Sequence, residues 1–190
     1  MSEQTARMSS DERREQVLDA ALVVFGEKGY AGGTTDEIAR RAGISQAYVV
    51  RMFGSKEALY VEVSRRATEL VAAAFRGALA TLAPDAPAEV RQRELGKAYA
   101  DLIADRNVLL TLQHLFSQGH DPVLGPVARE CFLSVYDVVR TEAGLTAQEA
   151  SGFFARGMLI NVLMSLQLPQ HAAADSKAAE LVECTFPGTP

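Results

Sequence analysis

The chain has 190 residues, of which 48% are hydrophobic and 23% charged, the proportions of a folded globular protein with one core or a small domain joined to a larger one. That composition excludes disorder over most of the length and leaves Met1–Met8 and the tail around Pro187–Pro190 as the parts expected to be loose. The net charge of −5 argues at first against a polyanionic partner, yet residues 1–66 carry ten Lys/Arg and ten Asp/Glu, so the acidity lies wholly beyond them.

The first predicted helix runs from Arg13 to Lys28, with Val17, Ala20, Ala21, Val24 and Phe25 on one face at helical spacing. Ser9 and Glu12 offer a capping box at its start, and Gly29 a stop at its end. Thr34 and Glu37 form a second box before a short helix carrying Ile38 and Ala39. The turn Ala42-Gly43-Ile44-Ser45 interrupts that helix, with Gly43 suited to a left-handed backbone and Ser45 to the N-cap of a third helix ending near Phe53. Two short helices across a four-residue glycine-containing turn are the pattern of a helix-turn-helix, with Ile38, Ala39, Ile44 and Val49 as its small core. Ser55 caps a long fourth helix that carries Leu59, Tyr60, Val63, Leu70, Val71 and Ala74. No breaker stops it before Ala83-Pro84-Asp85-Ala86-Pro87, so it bridges two domains, 1–54 and 55–190.

Ala20-Ala21 followed by Phe25 and Gly29-Tyr30, Thr34 followed by Ile38-Ala39 and Ala42-Gly43-Ile44-Ser45, then Phe53, Ser55-Lys56-Glu57 and Leu59 together resemble the signature of the TetR family. The resemblance covers roughly residues 13–63. It implies an all-α protein, with a three-helix DNA-binding domain followed by a helical ligand-binding and dimerisation bundle. Gly33, Val50 and Met52 depart from the common pattern, so no tyrosine–phosphate contact is carried over to those positions.

A recognition helix presents its N-terminal residues to base edges in the major groove. Those are Gln46, which can bond adenine bidentately, Ala47, which suits a thymine methyl, and Tyr48, with Arg51 one turn on. Phosphate contacts are expected from Thr34 and Thr35 at a helix start and from Lys56, with Arg13 and Arg14 as additions; the resemblance supports the threonines and Lys56. Thr34 is a helix cap in any case, Lys56 could be an ordinary solvated lysine, and Tyr48 could pack on the first helix instead. Arg40 and Arg41 read as solvated surface charges.

Further helices are expected at about 87–105, 107–118, 123–143, 147–167 and 173–185, with no strand pattern between them. Asp121-Pro122 opens the third of these, Pro126 implies a kink or a later start, and Gly144 ends it; Thr146 and Glu149 box the start of the next. That next helix is apolar nearly all round, so it is buried on several sides. The resemblance implies a homodimer through the last two helices, which puts Phe153, Phe154, Gly157, Ile160, Asn161 and Met164 at the interface. The alternative is a central helix in a monomer. Candidate effector contacts within the bundle are Tyr99, Gln113, His114, Phe116, Phe132, Met158 and Asn161, all of which a core could use equally.

No secretion signal is legible at the start, and the most apolar segment, Met158–Leu168, is too short for a bilayer, so a cytoplasmic protein is expected. Cys131 and Cys184 read as two small apolar side chains in or near the core. No nucleotide-binding glycine loop or HExxH is present, and His114, His120 and His171 have no partners at catalytic or metal-ligand spacing. Neither an enzyme nor a cofactor is expected. The function expected is that of a DNA-binding regulator, a repressor released from a pseudo-palindromic double-stranded operator by a small apolar or amphipathic effector. An activator, or an adaptor whose second domain only dimerises, remains the alternative.

Overall fold

The structure, a computed structural model, describes residues 9–102 and 105–186. The two ends expected to be loose lie outside the described residues. Every regular element among those described is helical.

Helix α1 (Ser10–Gly32) begins on the expected box: the Glu12 amide donates to Ser9 Oγ at 3.1 Å, and the Ser9 amide donates to Glu12 Oε2 at 2.7 Å. At Gly29 the backbone takes φ 66°, ψ −177°, which breaks the helix as expected, but one more turn follows and the Gly33 amide closes onto the Gly29 carbonyl. Helices α2 (Thr35–Arg41) and α3 (Gln46–Phe53) flank the turn, where Gly43 has the left-handed φ of 64°. Thr34 caps α2 through the Glu37 amide. The box there is only half made, because the Glu37 carboxylate bonds the Thr34 hydroxyl and the Lys28 ammonium instead of reaching the Thr34 amide. Ile38, Ala39 and Val49 are buried against Val17, Ala21 and Phe25 of α1, and Ile44 is half-buried beside them. Complete burial of a side chain such as Ile38 or Val49 contributes about 1.5–3 kcal/mol, which fixes the α2–α3 angle despite the shortness of both helices.

Helix α4 (Lys56–Ala80) is the shared beam. Its buried stripe passes from Leu59, Tyr60 and Val63 in the first core to Val71, Ala72 and Phe75 in the second. Helices α5 (Ala88–Leu102) and α6 (Arg106–Phe116) follow. The latter lies along α1 so closely that a β-carbon on Gly26 would be 3.0 Å from the Asn107 backbone. Thr111, fully buried, donates its hydroxyl to the Leu22 carbonyl across the same seam.

Helix α7 starts at Leu124, later than Asp121, and runs to Asp137 before a wide π turn at Val138–Glu142. Asp121 Oδ1 accepts the amides of Val123 and Leu124, both at 2.8 Å, and these bonds hold its carboxyl below the usual range. Pro126 falls in the first turn, where its missing N–H removes no helical bond. Helix α8 (Ala147–Ser165) opens on the complete Thr146–Glu149 box. It ends at Gln167, a non-glycine residue with φ 54°, before the short α9 (Leu168–His171) and α10 (Ser176–Thr185), capped by Asp175. Helix α8 is buried on fewer sides than its sequence suggests, since Gly152, Ala155, Leu159, Val162 and Leu166 form an exposed stripe.

Candidate nucleic-acid interface and effector cavity

Helix α3 is anchored by Val49 and turns its first residues outward. Gln46, Ala47 and Arg51 are exposed and Tyr48 is half-buried. The Arg51 guanidinium lies 4.7 Å from the Tyr48 ring centroid, a cation–π pair one helical turn apart, so ring and charge present a single surface. Gln46 Nε2 donates to Thr35 Oγ1 at 3.0 Å, which joins the start of α3 to the start of α2. Ser45 holds the first turn of α3 through the Tyr48 amide. The structure therefore joins Thr35 to Gln46 and Tyr48 to Arg51, with Thr34 as the cap of α2.

Lys56 is not the ordinary solvated lysine that the sequence also allowed. Its Nζ donates to the carbonyls of Tyr30 at 2.8 Å and Gly33 at 3.3 Å, and lies 4.5 Å from the Tyr30 ring centroid. The ammonium closes the C-terminal end of α1, where unpaired carbonyls carry partial negative charge. The clue in the sequence was Gly29-Tyr30, a helix end in need of a cation. Arg14 is also committed internally, paired with Glu62 at 2.6 Å and stacked on Phe53 at 4.5 Å. Arg40 pairs with Asp36 at 2.7 Å on the surface, in agreement with its reading as a solvated charge.

In the second domain a small apolar cavity of about 50 Å³ opens between α4, α5, α6, α7 and α8, well below the volume of an open small-molecule site. Tyr99, Phe116, Phe132, Met158 and Asn161 line it, as anticipated. Gln113 and His114 do not. The Gln113 side-chain carbonyl accepts the Ser165 hydroxyl, and His114 packs on Gly29. Val71 and Phe75 of α4, Leu112 and Val135 were missed, although Phe75 simply continues the periodic stripe of α4.

Four residues expected at a dimer interface, Phe153, Phe154, Gly157 and Asn161, line this cavity, where Asn161 was also expected. They lie at i, i+1, i+4 and i+8 on one side of α8, opposite the exposed stripe, while Ile160 and Met164 are half-buried. An all-round apolar helix gives no phase from periodicity alone, so the sequence could not say which face turned inward.

The polar feature of the cavity is Tyr99, whose hydroxyl donates to Asn161 Oδ1 at 2.5 Å. Burial pushes the Tyr99 phenol up to about 12, against a smaller downward pull from the Asn161 bond. No grouping of His, Cys, Asp or Glu among the described residues could hold a metal ion. Cys131 is buried, with its thiol pushed up by desolvation, whereas Cys184, expected like it in or near the core, is exposed on α10. No helix among the described residues is long and apolar enough to cross a membrane.

The sequence model of bacterial regulatory proteins of the tetR family matches residues 17–63, which hold α2, α3 and parts of α1 and α4. The HTH-type transcriptional activator FasR of Mycolicibacterium smegmatis is 33% identical over 148 residues, covering 76% of this chain and 66% of that protein. The HTH-type transcriptional regulator BetI of Rhizobium meliloti is 47% identical over 53 residues, 28% of this chain. The chain thus spans 66% and 26% of the lengths of these two relatives. A solved TetR-like transcriptional regulator from Rhodococcus sp. RHA1 superposes with a TM-score of 0.67 over 96% of this chain and 98% of its own, at 18% identity, a likeness of fold. The chain belongs to the tetR family of bacterial regulatory proteins, a family of DNA-binding transcriptional regulators and not of enzymes.

Proposed function

We propose that the protein is a cytoplasmic, homodimeric regulator that grips a pseudo-palindromic operator through α3 and leaves it when a small apolar or amphipathic effector fills the cavity. The observation that carries this reading is the double role of α6. Leu112 and Phe116 line the cavity, while Asn107, Thr111 and His114 of the same eleven-residue helix pack on α1. A ligand that pushes on one side of α6 therefore pushes α1, and with it the seating of α2 and α3. In a dimer the two recognition helices must sit about 34 Å apart to enter successive major grooves. An effector that favours a different spacing shifts the population off DNA, and a coupling of about 1–3 kcal/mol weakens operator binding ~5–150-fold.

Gln46, Ala47, Tyr48 and Arg51 are the residues proposed to read bases. Thr34, Thr35 and the remaining ammonium hydrogen of Lys56 are proposed to hold phosphates. Repression follows where the operator overlaps a promoter. The relative FasR is named an activator, and the position of the operator decides the sign. The test is fluorescence anisotropy of the protein on its own upstream intergenic DNA at two salt concentrations, with and without candidate effectors. Preference over scrambled DNA, lost on effector addition, supports the reading; effector-independent binding would leave a regulator without a sensor. A reporter fused to the same DNA, with and without the protein, distinguishes repression from activation.

A further inference from the structure

We infer that Val50 reads thymine: with Ala47 it forms an apolar patch on the exposed side of α3 that receives the C5-methyl group in the major groove. The inference rests on the seating of α3 in that groove proposed above. Helix α3 sends Val49, Met52 and Phe53 to the core and leaves Ala47 and Val50 outside it, Val50 with 42% of its surface exposed. An exposed aliphatic side chain is commonplace by itself. What distinguishes this one is its neighbours.

Val50 lies one turn beyond Gln46 and Ala47, at i+4 and i+3, with about 5–6 Å between β-carbons. Arg51 stands at i+4 from Ala47. The exposed side of α3 thus sets an amide, two aliphatic side chains and a guanidinium next to one another, and the helix carries no acidic residue to repel a polyanion. The polar side chains on either flank are tethered, Gln46 to Thr35 at 3.0 Å and Arg51 to the Tyr48 ring at 4.7 Å, which preorganises the surface around the patch.

Of the four bases of DNA only thymine carries a methyl group in the major groove, and an aliphatic surface stabilises it there by taking it out of water. Adenine presents N7 and N6 on the same edge of an A·T pair, the pattern that a glutamine amide meets bidentately. Gln46 and the Ala47–Val50 patch therefore suit A·T pairs in two ways, one polar and one apolar. Cytosine in place of thymine would bring its N4 amino group to side chains that cannot accept a hydrogen bond. Valine also suits the task mechanically. Its branched side chain is stiff at χ1 in a helix, and the Val50 carbonyl accepts the Gly54 amide at 2.8 Å, which holds the last turn. The methyl groups are in place before DNA arrives, so little rotamer freedom is lost on contact.

The experiment uses the full chain to select binding duplexes from a random-sequence library. Fluorescence anisotropy on the selected site follows, with each thymine in turn replaced by deoxyuridine, for wild type and Val50→Ala. Deoxyuridine removes the methyl group and keeps the base pairing. At one thymine per half-site the replacement is expected to weaken wild type about fourfold, the effect of one buried methyl-sized group, and Val50→Ala by less than about twofold. The two proteins should agree in melting temperature and in affinity for scrambled DNA, because Val50 lies outside the core and carries no charge. If no thymine shows the penalty, or Val50→Ala shows it in full, the assignment of Val50 is overturned while base reading by α3 stands. If the library yields no preferred sequence, base reading itself falls and this inference with it.

Discussion

Gly29 of α1 and His114 of α6 meet so closely that a β-carbon on the glycine would lie 3.1 Å from the imidazole Nδ1. Position 29 also has φ 66°, which side chains rarely adopt. The seam between the two domains therefore depends on a residue with no side chain. Gly29→Ala is expected to cost about 1–3 kcal/mol in urea unfolding, through strain and crowding together. Adding His114→Ala removes the crowding but not the strain, so the double variant should be more stable than the sum of the two single changes predicts. Strict additivity would mean that the imidazole does not press on Gly29.

Lys56 joins α4 to the end of α1 by two hydrogen bonds from one ammonium group. Lys56→Met keeps the aliphatic stem and removes the charge. It is expected to cost about 1–2 kcal/mol of stability without DNA. On DNA it should weaken specific and scrambled sequences alike and lower the slope of log K against log salt by about one. An unchanged melting temperature would contradict the closing of α1, and an unchanged salt slope would contradict a phosphate contact.

The difference between the legible and illegible parts of this chain is one of range. Caps and turns act over three or four residues, and Ser9, Ser45, Ser55 and Thr146 all cap the helices that their spacing indicates. The motif-bearing segment from Val17 to Val63 is likewise dense enough to fix the order and packing of α1 to α4. The destination of a long side chain is another matter. Glu37 leaves its box for Lys28, nine residues away, and Lys56 reaches back 26 residues to Tyr30. Gly33, a departure from the common family pattern, makes sense only in three dimensions: a β-carbon there would lie 2.7 Å from the Phe25 ring. In α8 composition alone suggested burial all round, and only packing against Phe75, Tyr99 and Phe132 decides that Phe153 and Phe154 turn inward.

Two buried hydroxyls should behave oppositely when removed. Tyr99 is bonded to Asn161, and its folded-state ionisation is pushed up to about 12 from an ordinary value of 10.0. A phenol that is harder to ionise when folded adds stability that is complete below pH 10 and lost as pH rises toward 12. The unfolded chain gives up its proton first, and the loss reaches about 2–3 kcal/mol. Tyr99→Phe should flatten the fall of stability with pH in that window. Tyr60, fully buried with no hydroxyl partner among the described residues, is the contrast. Tyr60→Phe removes an unsatisfied group and should be neutral or stabilising by up to about 1 kcal/mol at neutral pH. Marked destabilisation by that change would point to a bridging water at the hydroxyl.

The exposed side of α8 gives the last prediction. Leu159, Val162 and Leu166 are 40%, 49% and 63% exposed and lie in line with Gly152 and Ala155, and Leu181 of α10 is 40% exposed on the neighbouring helix. Small residues at one end and branched aliphatic ones at the other form a self-complementary strip of the kind that two copies bury about a two-fold axis. Val162 lies within that strip, and a carboxylate there would be buried twice, once from each subunit, without a counter-ion. Val162→Glu is therefore expected to weaken self-association by about a hundredfold or more, so that light scattering after size exclusion gives the mass of one chain. Because Val162 touches solvent in the single chain, the monomer should keep its helical signal and its binding of apolar ligands. Phe154→Glu, pointing into the cavity, should instead destabilise the fold and abolish that binding. If Val162→Glu remains dimeric, the subunits meet through another face, and the recognition helices would need a different geometry to span successive grooves.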